Sequence, residues 1–275
     1  MTPLVSILTP LYKTNHNHLR AMIESVLNQD YKNFEFILLN DSPDDLSLEQ
    51  VVREYKDNRI KYITNHTNQG IAKSRNRLIQ ESKGEFLAIL DHDDICFSDR
   101  LTKQVEYLQS NPDVGVVSGL VELMSTGKIH GNRYPKDNLE IKQRLLSENC
   151  IAHSAMMIRK NCLVDNGITY QELLSPAEDY QLCIDLMGVT LFHNLEQPLI
   201  KYRDNHENTT HLKSDLMEDR KRVIASKAQR DFGFYAWCRK RELLLFGFIK
   251  IGTIRQTHKG NLFLLFGFIP LLLIR

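Results

Sequence analysis

Three short apolar runs, each closed by a polar cluster, constrain the folding of this chain more than any other feature. Val5–Thr9 ends at Pro10, Phe34–Leu39 ends in Asn40-Asp41-Ser42-Pro43-Asp44-Asp45, and Phe86–Leu90 ends in Asp91-His92-Asp93-Asp94. Runs of this length bounded by turn formers suit strands buried on both faces. Between them the period changes. Leu19, Ile23, Val26 and Leu27 recur at helical spacing, 46–56 reads as a helix, Ile60–Thr64 as a strand, and a helix over about 71–82 lies between Gly70 and Gly84. This alternation predicts βαβ units and an α/β, doubly wound, mostly parallel sheet. The polar clusters then share the strand C-terminal edge, where open α/β sheets bind ligands.

Beyond residue 95 a helix is expected at 98–110, a strand at 114–123, mixed elements to 203 and a basic helix over 213–231. The chain has 275 residues, 42% hydrophobic and 25% charged, enough for one sizeable core with an appendage. Its net charge of +1 hides an asymmetry: residues 1–212 carry a net −7 and 213–275 a net +8. The acidic part calls for cations where carboxylates converge, and the basic part suits an anionic surface. Leu262–Ile274 is an uncharged run of 13 residues, shorter than the roughly 20 of a spanning helix. Leu244-Leu245-Phe246-Gly247-Phe248-Ile249 recurs twenty residues later as Leu264-Leu265-Phe266-Gly267-Phe268-Ile269, and Arg239, Lys240, Arg241 and Lys250 flank the first copy. Apolar segments beside clustered cations predict a peripheral membrane anchor. The five cysteines are scattered and lack CxxC spacing, as expected of reduced thiols in a cytosolic protein. The N-terminus reads as a first core strand rather than a signal peptide.

Asp91, Asp93 and Asp94 crowd the end of a buried strand. Their mutual repulsion is relieved by a hard divalent cation, Mn²⁺ or Mg²⁺, which also bridges to substrate phosphates. Two other α/β chemistries are excluded. Thr9–Asn15 holds no glycine, so there is no dinucleotide-binding GxGxxG after the first strand, and no GxxxxGK[ST] phosphate loop occurs.

The motifs together resemble glycosyltransferase family 2, the inverting family with a GT-A fold. The matching stretches are Val5-Ser6-Ile7-Leu8-Thr9-Pro10-Leu11-Tyr12, Ser25-Val26-Leu27-Asn28-Gln29 and Glu35–Ser42, where the family usually has Gly-Ser near Ser42. Asn68-Gln69-Gly70 with Ser74-Arg75-Asn76, Ser74 replacing the usual Ala, and Gly84–Asp94 complete the set in the family's order. The resemblance covers residues 4–110 and extends more weakly to about 210. It implies a GT-A domain over 1–212, split into a nucleotide-sugar part (1–110) and an acceptor part (111–212). A helical, membrane-associating extension would follow over 213–275.

The resemblance also implies roles. Thr9, Pro10 and Tyr12 border the nucleotide, Asp41 accepts a hydrogen bond from base or ribose, and Asn68 lies in the same donor site. Arg75 offers a planar fork to phosphate. Asp91 and Asp93 form the DxD, and Asp93 and Asp94 a DD pair; one carboxylate ligates the metal and another reaches the ribose. His206, in Tyr202-Arg203-Asp204-Asn205-His206, completes the metal shell or touches the diphosphate. Glu178-Asp179 matches the family's acceptor-side acids, with Asp179 as the general base, and His153 lines the acceptor pocket. The expected activity is inverting, hexosyl-type transfer from a nucleotide sugar, UDP-linked in type, to a glycan or lipid-linked acceptor in bacterial surface-polysaccharide synthesis. No nucleic-acid partner is expected, and the expected location is cytoplasmic, at the inner face of the membrane. The rival reading is an inactive nucleotide-sugar or membrane-surface binding protein of the same fold.

Overall fold

The computed structural model describes residues 2–131, 134–204, 214–237, 242–245, 249–256, 262–266 and 269–274. The first elements are β1 (Val5–Leu11), α1 (His16–Leu27), β2 (Phe34–Asn40), α2 (Ser47–Arg53), β3 (Ile60–Thr64), α3 (Ile71–Glu81) and β4 (Phe86–Ile89). Every residue of β1 is buried, as a strand covered on both faces requires. β1 pairs in parallel with β2 and β4, and β2 with β3. Leu11 stands opposite Asn40 and Asn40 opposite Thr64, so these strands end at one edge. Pairing between β1 and β4 stops at Leu8 and Ile89. Pro10 therefore sits beyond the reach of the β4 ladder, where its missing N–H costs nothing on that side.

Asn15 caps α1 by accepting from the Asn17 and His18 amides. The helix buries Leu19, Met22, Ile23 and Val26 on one face. His16 and His18 belong to its first turn, and His16 Nε2 lies 2.8 Å from Ser47 Oγ at the surface.

The chain continues through β5 (Ile95–Cys96), α4 (Arg100–Ser110), β6 (Val114–Leu123), β7 (Ile129–His130) and α5 (Asn138–Leu145). Then come β8 (Met157–Arg159), α6 (Lys160–Val164), α7 (Glu178–Leu186) and β9 (Leu191–Tyr202). Strand order is β3-β2-β1-β4-β8-β6-β9-β5, with β7 beside β6. The N-terminal half is parallel throughout. Beyond it the sheet is mixed: β8 runs antiparallel to both β4 and β6, while β6 and β9 are parallel. The short β8 thereby joins the two halves into one sheet. Cys96, Cys150 and Cys183 are buried, Cys162 is half-buried, and all four are free.

The chain divides into two compact units, Met1–Ala225 and Ser226–Arg275. Helix α8 (Ser214–Trp237) confirms the helical expectation for the start of the extension. Past it the described segments are strands: β10 (Glu242–Leu245), β11 (Ile249–Gln256), β12 (Leu262–Phe266) and β13 (Ile269–Ile274), an antiparallel meander in chain order. Each copy of the repeated apolar segment links two antiparallel partners, Leu245 opposite Ile249 and Phe266 opposite Ile269. Each copy thus contributes the end of one strand and the start of its antiparallel partner. Among the described residues no helix is long and apolar enough to cross a membrane.

Candidate active site

The acidic turn follows β4 directly and is braced from four sides. Its start is fixed by Leu90 N–H donating to Leu8 O (3.2 Å) and Asp91 N–H to Ser154 Oγ (3.0 Å). The end of α1 holds what comes after it. Ser25 Oγ accepts from Cys96 N–H (3.0 Å), and Gln29 accepts from Leu101 N–H (3.1 Å) while donating to Phe97 O (2.7 Å). The Ser25–Gln29 signature therefore serves the carboxylates at one remove. Underneath, the fully buried Arg100 donates to Ile89 O (2.7 Å), Gln104 Oε1 (3.0 Å) and Cys96 Sγ (3.3 Å). Just past β9, Arg203 donates its amide to Asp94 Oδ1 and its Nε to Asp93 O, both at 3.0 Å. Sequence reading missed Arg100 entirely, because a buried arginine has no local signature.

Burial pushes the carboxyls of Asp93 and Asp94 up, and the like charges of this cluster add to it, for Asp94 by a large amount. Asp94 Oδ2 and His92 Nδ1 are buried without a hydrogen-bond partner among the described residues. Both observations fit a hard divalent cation. Among the described residues no three His, Cys, Asp or Glu side chains converge on one point. His206 lies outside the described residues.

Arg75 links this turn to the start of α7 (Glu178–Leu186). Its Nη2 donates to Asp91 Oδ1 (3.0 Å) and its Nη1 to Glu178 Oε1 (2.7 Å). Arg75 and Glu178 are buried, their side chains 10% and 5% exposed. The planar fork read from the sequence is thus filled by two carboxylates of the chain itself. Burial, the largest single influence, would raise the Asp91 carboxyl, but the charge and hydrogen bond of Arg75 together with smaller contributions from neighbouring groups hold it below its ordinary range. Next in sequence, Asn76 exchanges two hydrogen bonds with the Tyr170 backbone, at 2.9 and 2.8 Å. One turn of α3 thus grips the segments that lead into α7.

Glu178 and Asp179 open α7. A helix N-terminus favours carboxylates. Burial, reinforced by the charge of Glu178, wins at Asp179 and pushes its carboxyl up to about 6. Asp179 Oδ1 accepts from Tyr180 N–H (2.7 Å), and Asn149 Nδ2 donates to Oδ2 at 3.4 Å. The Asn149 amide is oriented by Ile151 N–H on its Oδ1 (3.0 Å), which turns the NH₂ toward Asp179. His153 Nε2 lies 2.8 Å from Tyr170 Oη, and burial with the nearby Arg75 charge lowers its pKa to about 3. His153 is therefore a neutral imidazole at physiological pH.

On the other side of the edge, Thr9 and Pro10 are buried in β1 and Tyr12 is 49% exposed. Asp41, just past β2, is buried and receives four donors. Asn65 Nδ2 (2.7 Å) and Gln69 N–H (2.8 Å) reach Oδ1; Asn68 Nδ2 (3.2 Å) and Gly70 N–H (2.8 Å) reach Oδ2.

Comparison with known proteins gives the family and the fold. The model of the family described as glycosyl transferase family 2 matches residues 6–165. An uncharacterized glycosyltransferase of Methanocaldococcus jannaschii, MJ1057, is 34% identical over 213 residues, 75% of this chain and 73% of the relative. The Escherichia coli UDP-Glc:alpha-D-GlcNAc-diphosphoundecaprenol beta-1,3-glucosyltransferase WfgD is 35% identical over 128 residues, 46% of this chain and 49% of its own length. Among solved structures, S. aureus TarS 1-349 in complex with UDP-GlcNAc aligns with a TM-score of 0.64 at 19% identity, covering 87% of this chain and 76% of that one. The mannosyltransferase PcManGT from Pyrobaculum calidifontis, in complex with GDP-Man and Mn2+, gives 0.64 at 15% identity over 84% and 65%. The fold is that of the GT-A glycosyltransferases. With the family match spanning more than half of the chain, the protein belongs to glycosyl transferase family 2.

Proposed function

We propose that this chain transfers a sugar from a nucleotide-sugar donor, UDP-linked, to a hydroxyl of a glycan or lipid-linked acceptor, with inversion. The observation that carries the proposal is the Arg75 bridge, which joins Asp91 of the acidic turn to Glu178, the neighbour of Asp179. This bridge supports a reading in which the donor-phosphate side and the base side of one displacement flank a single buried cation. The two adjacent acids then divide the work. Glu178 is committed to Arg75, and Asp179, with a carboxyl near 6, takes the proton from the acceptor hydroxyl. The freed oxygen attacks the anomeric carbon from the face opposite the diphosphate. The bond from that carbon to the phosphate oxygen breaks, and the nucleoside diphosphate leaves with its electron pair. NMR of the product tests inversion through its anomeric configuration.

Asp93 and Asp94 are the residues that would hold Mn²⁺ or Mg²⁺ together with donor phosphate oxygens. Bound there, the ion supplies neutralisation of the charge gathering on the leaving diphosphate. EDTA is expected to abolish transfer, with recovery on adding either metal, and Asp93→Ala to weaken donor binding and remove nearly all turnover. Full activity of wild type in EDTA would contradict this.

We further place the protein in the cytoplasm, peripheral at the inner face of the cell membrane. The net +8 of residues 213–275 and the two apolar repeats support that location, as does the E. coli relative, whose named acceptor carries a diphosphoundecaprenol. Full-length protein is expected to float with anionic liposomes, and high salt to release only part of it, because screening weakens charge attraction and not apolar insertion. A chain ending near Lys240 should not float. Full-length protein that ignores anionic liposomes at low salt would overturn the membrane assignment.

A further inference from the structure

The chain from Asn149 to Ser154 joins two parts of the site. Asn149 Nδ2 donates to Asp179 at one end (3.4 Å), and Ser154 Oγ accepts from Asp91 N–H at the other (3.0 Å). His153 lies between them in the chain, half-buried, with Nε2 2.8 Å from Tyr170 Oη. Tyr170 is 2% exposed. Asn76 grips its backbone through both the N–H and the carbonyl. The Arg75 guanidinium lies 5.5 Å from the centroid of its ring, and the His153 ring meets it edge-on, at 5.7 Å and 81°. Ring and backbone are thus fixed, and the hydroxyl proton alone is left to turn.

Which nitrogen of His153 carries the proton follows from satisfying that hydroxyl. A neutral imidazole has one N–H and one bare nitrogen. Among the described residues Nε2 is the only hydrogen-bond partner of Tyr170 Oη. Burial raises the phenol above its ordinary range, so it keeps its proton. Were Nε2 protonated, it would donate to Oη, and the phenol proton would be buried without an acceptor, a costly state. With Nε2 bare, the phenol donates to it and both atoms are satisfied. The imidazole proton then sits on Nδ1. Unlike His92 Nδ1, which is buried without a partner, His153 Nδ1 is not closed off from solvent.

We infer, resting on the transfer reading above, that Tyr170 is a positioning residue: its phenol donates to His153 Nε2, sets the proton on Nδ1 and so gives the site a neutral N–H donor for a sugar hydroxyl between Asp179 and the acidic turn.

Long-range ¹⁵N–¹H NMR of the full-length protein with labelled histidine reads the tautomer directly, the His153 signal being identified by its loss in His153→Ala. Wild type should carry the proton on Nδ1. Tyr170→Phe, which removes only the hydroxyl and leaves the ring beside Arg75, should move a large share of it to Nε2. In transfer assays Tyr170→Phe should lower kcat/KM about tenfold, the worth of one oriented hydrogen bond. Its affinity for UDP, which carries no transferable sugar, should stay within about twofold of wild type, whereas a merely structural lesion would lower both. In a His153→Ala background the same change should cost less than about twofold, because its target is gone. A wild-type proton on Nε2 would overturn the inference, as would a Tyr170→Phe variant that transfers like wild type or that loses UDP affinity in step with transfer. The NMR measurement needs neither donor nor acceptor. Wild type that releases nucleoside diphosphate from no sugar nucleotide would therefore count against the transfer reading, while the wild-type tautomer still decides what Tyr170 does to His153.

Discussion

Asp179→Asn is expected to lower turnover by roughly 10²–10⁴-fold while donor affinity stays near wild type, the loss expected of a positioned general base. Glu178→Gln should not reproduce that pattern; its cost should appear with loosening of Arg75. The wild-type profile carries a second signature. A carboxyl at about 6 must be ionised to act, so kcat should rise through that pH and level off above it. Stability moves the other way. The folded-state pKa is raised from 3.8, so the stabilising protonated form is fully populated only below the unfolded value and is lost as pH rises through about 6. At pH 7 the half-buried charge is a burden, and Asp179→Asn should be more stable than wild type by about 1–3 kcal/mol. Urea denaturation at pH 7 and pH 4 checks this: the advantage should shrink at the lower pH. A variant that is slower and also less stable at pH 7 would contradict the assignment.

Arg75→Met should cost about 3–5 kcal/mol, because it leaves the buried carboxylate of Glu178 and the half-buried one of Asp91 without their shared cation. The sign of its pH dependence is informative. In wild type the depressed Asp91 carboxyl contributes stability present above its unfolded pKa and lost as pH falls through the folded one. Without Arg75 that contribution disappears, and protonating the stranded acids becomes the route to relief. The deficit should therefore be larger at pH 8 than at pH 4. Turnover should fall as well, since both the acidic turn and the start of α7 lose their anchor. Thermal melts across pH read the first effect. A variant with an unchanged melting point would show the bridge to be incidental.

The legible part of the fold was the part written locally. Strands β1 to β4 and helices α1 and α3 announce themselves by period and by the clusters that end them, and their parallel order follows from alternation. The reversed insertion of β8 between β4 and β6 does not, because three residues carry no register signal. The same holds for Ile95 pairing with Lys201. In the site, residue type gave Arg75 its fork, but nothing local names a partner 103 positions away. The parts played by Tyr170 and Asn149 escaped notice for the same reason, each working through contacts distant in sequence; Arg100 did so because its burial leaves no mark in the local pattern. In the tail the extension reads as helical, yet past α8 the described segments are strands, because a short apolar run does not tell strand from helix by period.

Release of nucleoside diphosphate from a panel of UDP-, TDP- and GDP-sugars, measured with wild type and Asp179→Asn in Mn²⁺ and in EDTA, tests the central claim most directly. The account predicts release from at least one donor by wild type in Mn²⁺, and its near loss both in EDTA and in the variant. Release from no donor, or equal release by wild type and Asp179→Asn under every condition, would contradict it.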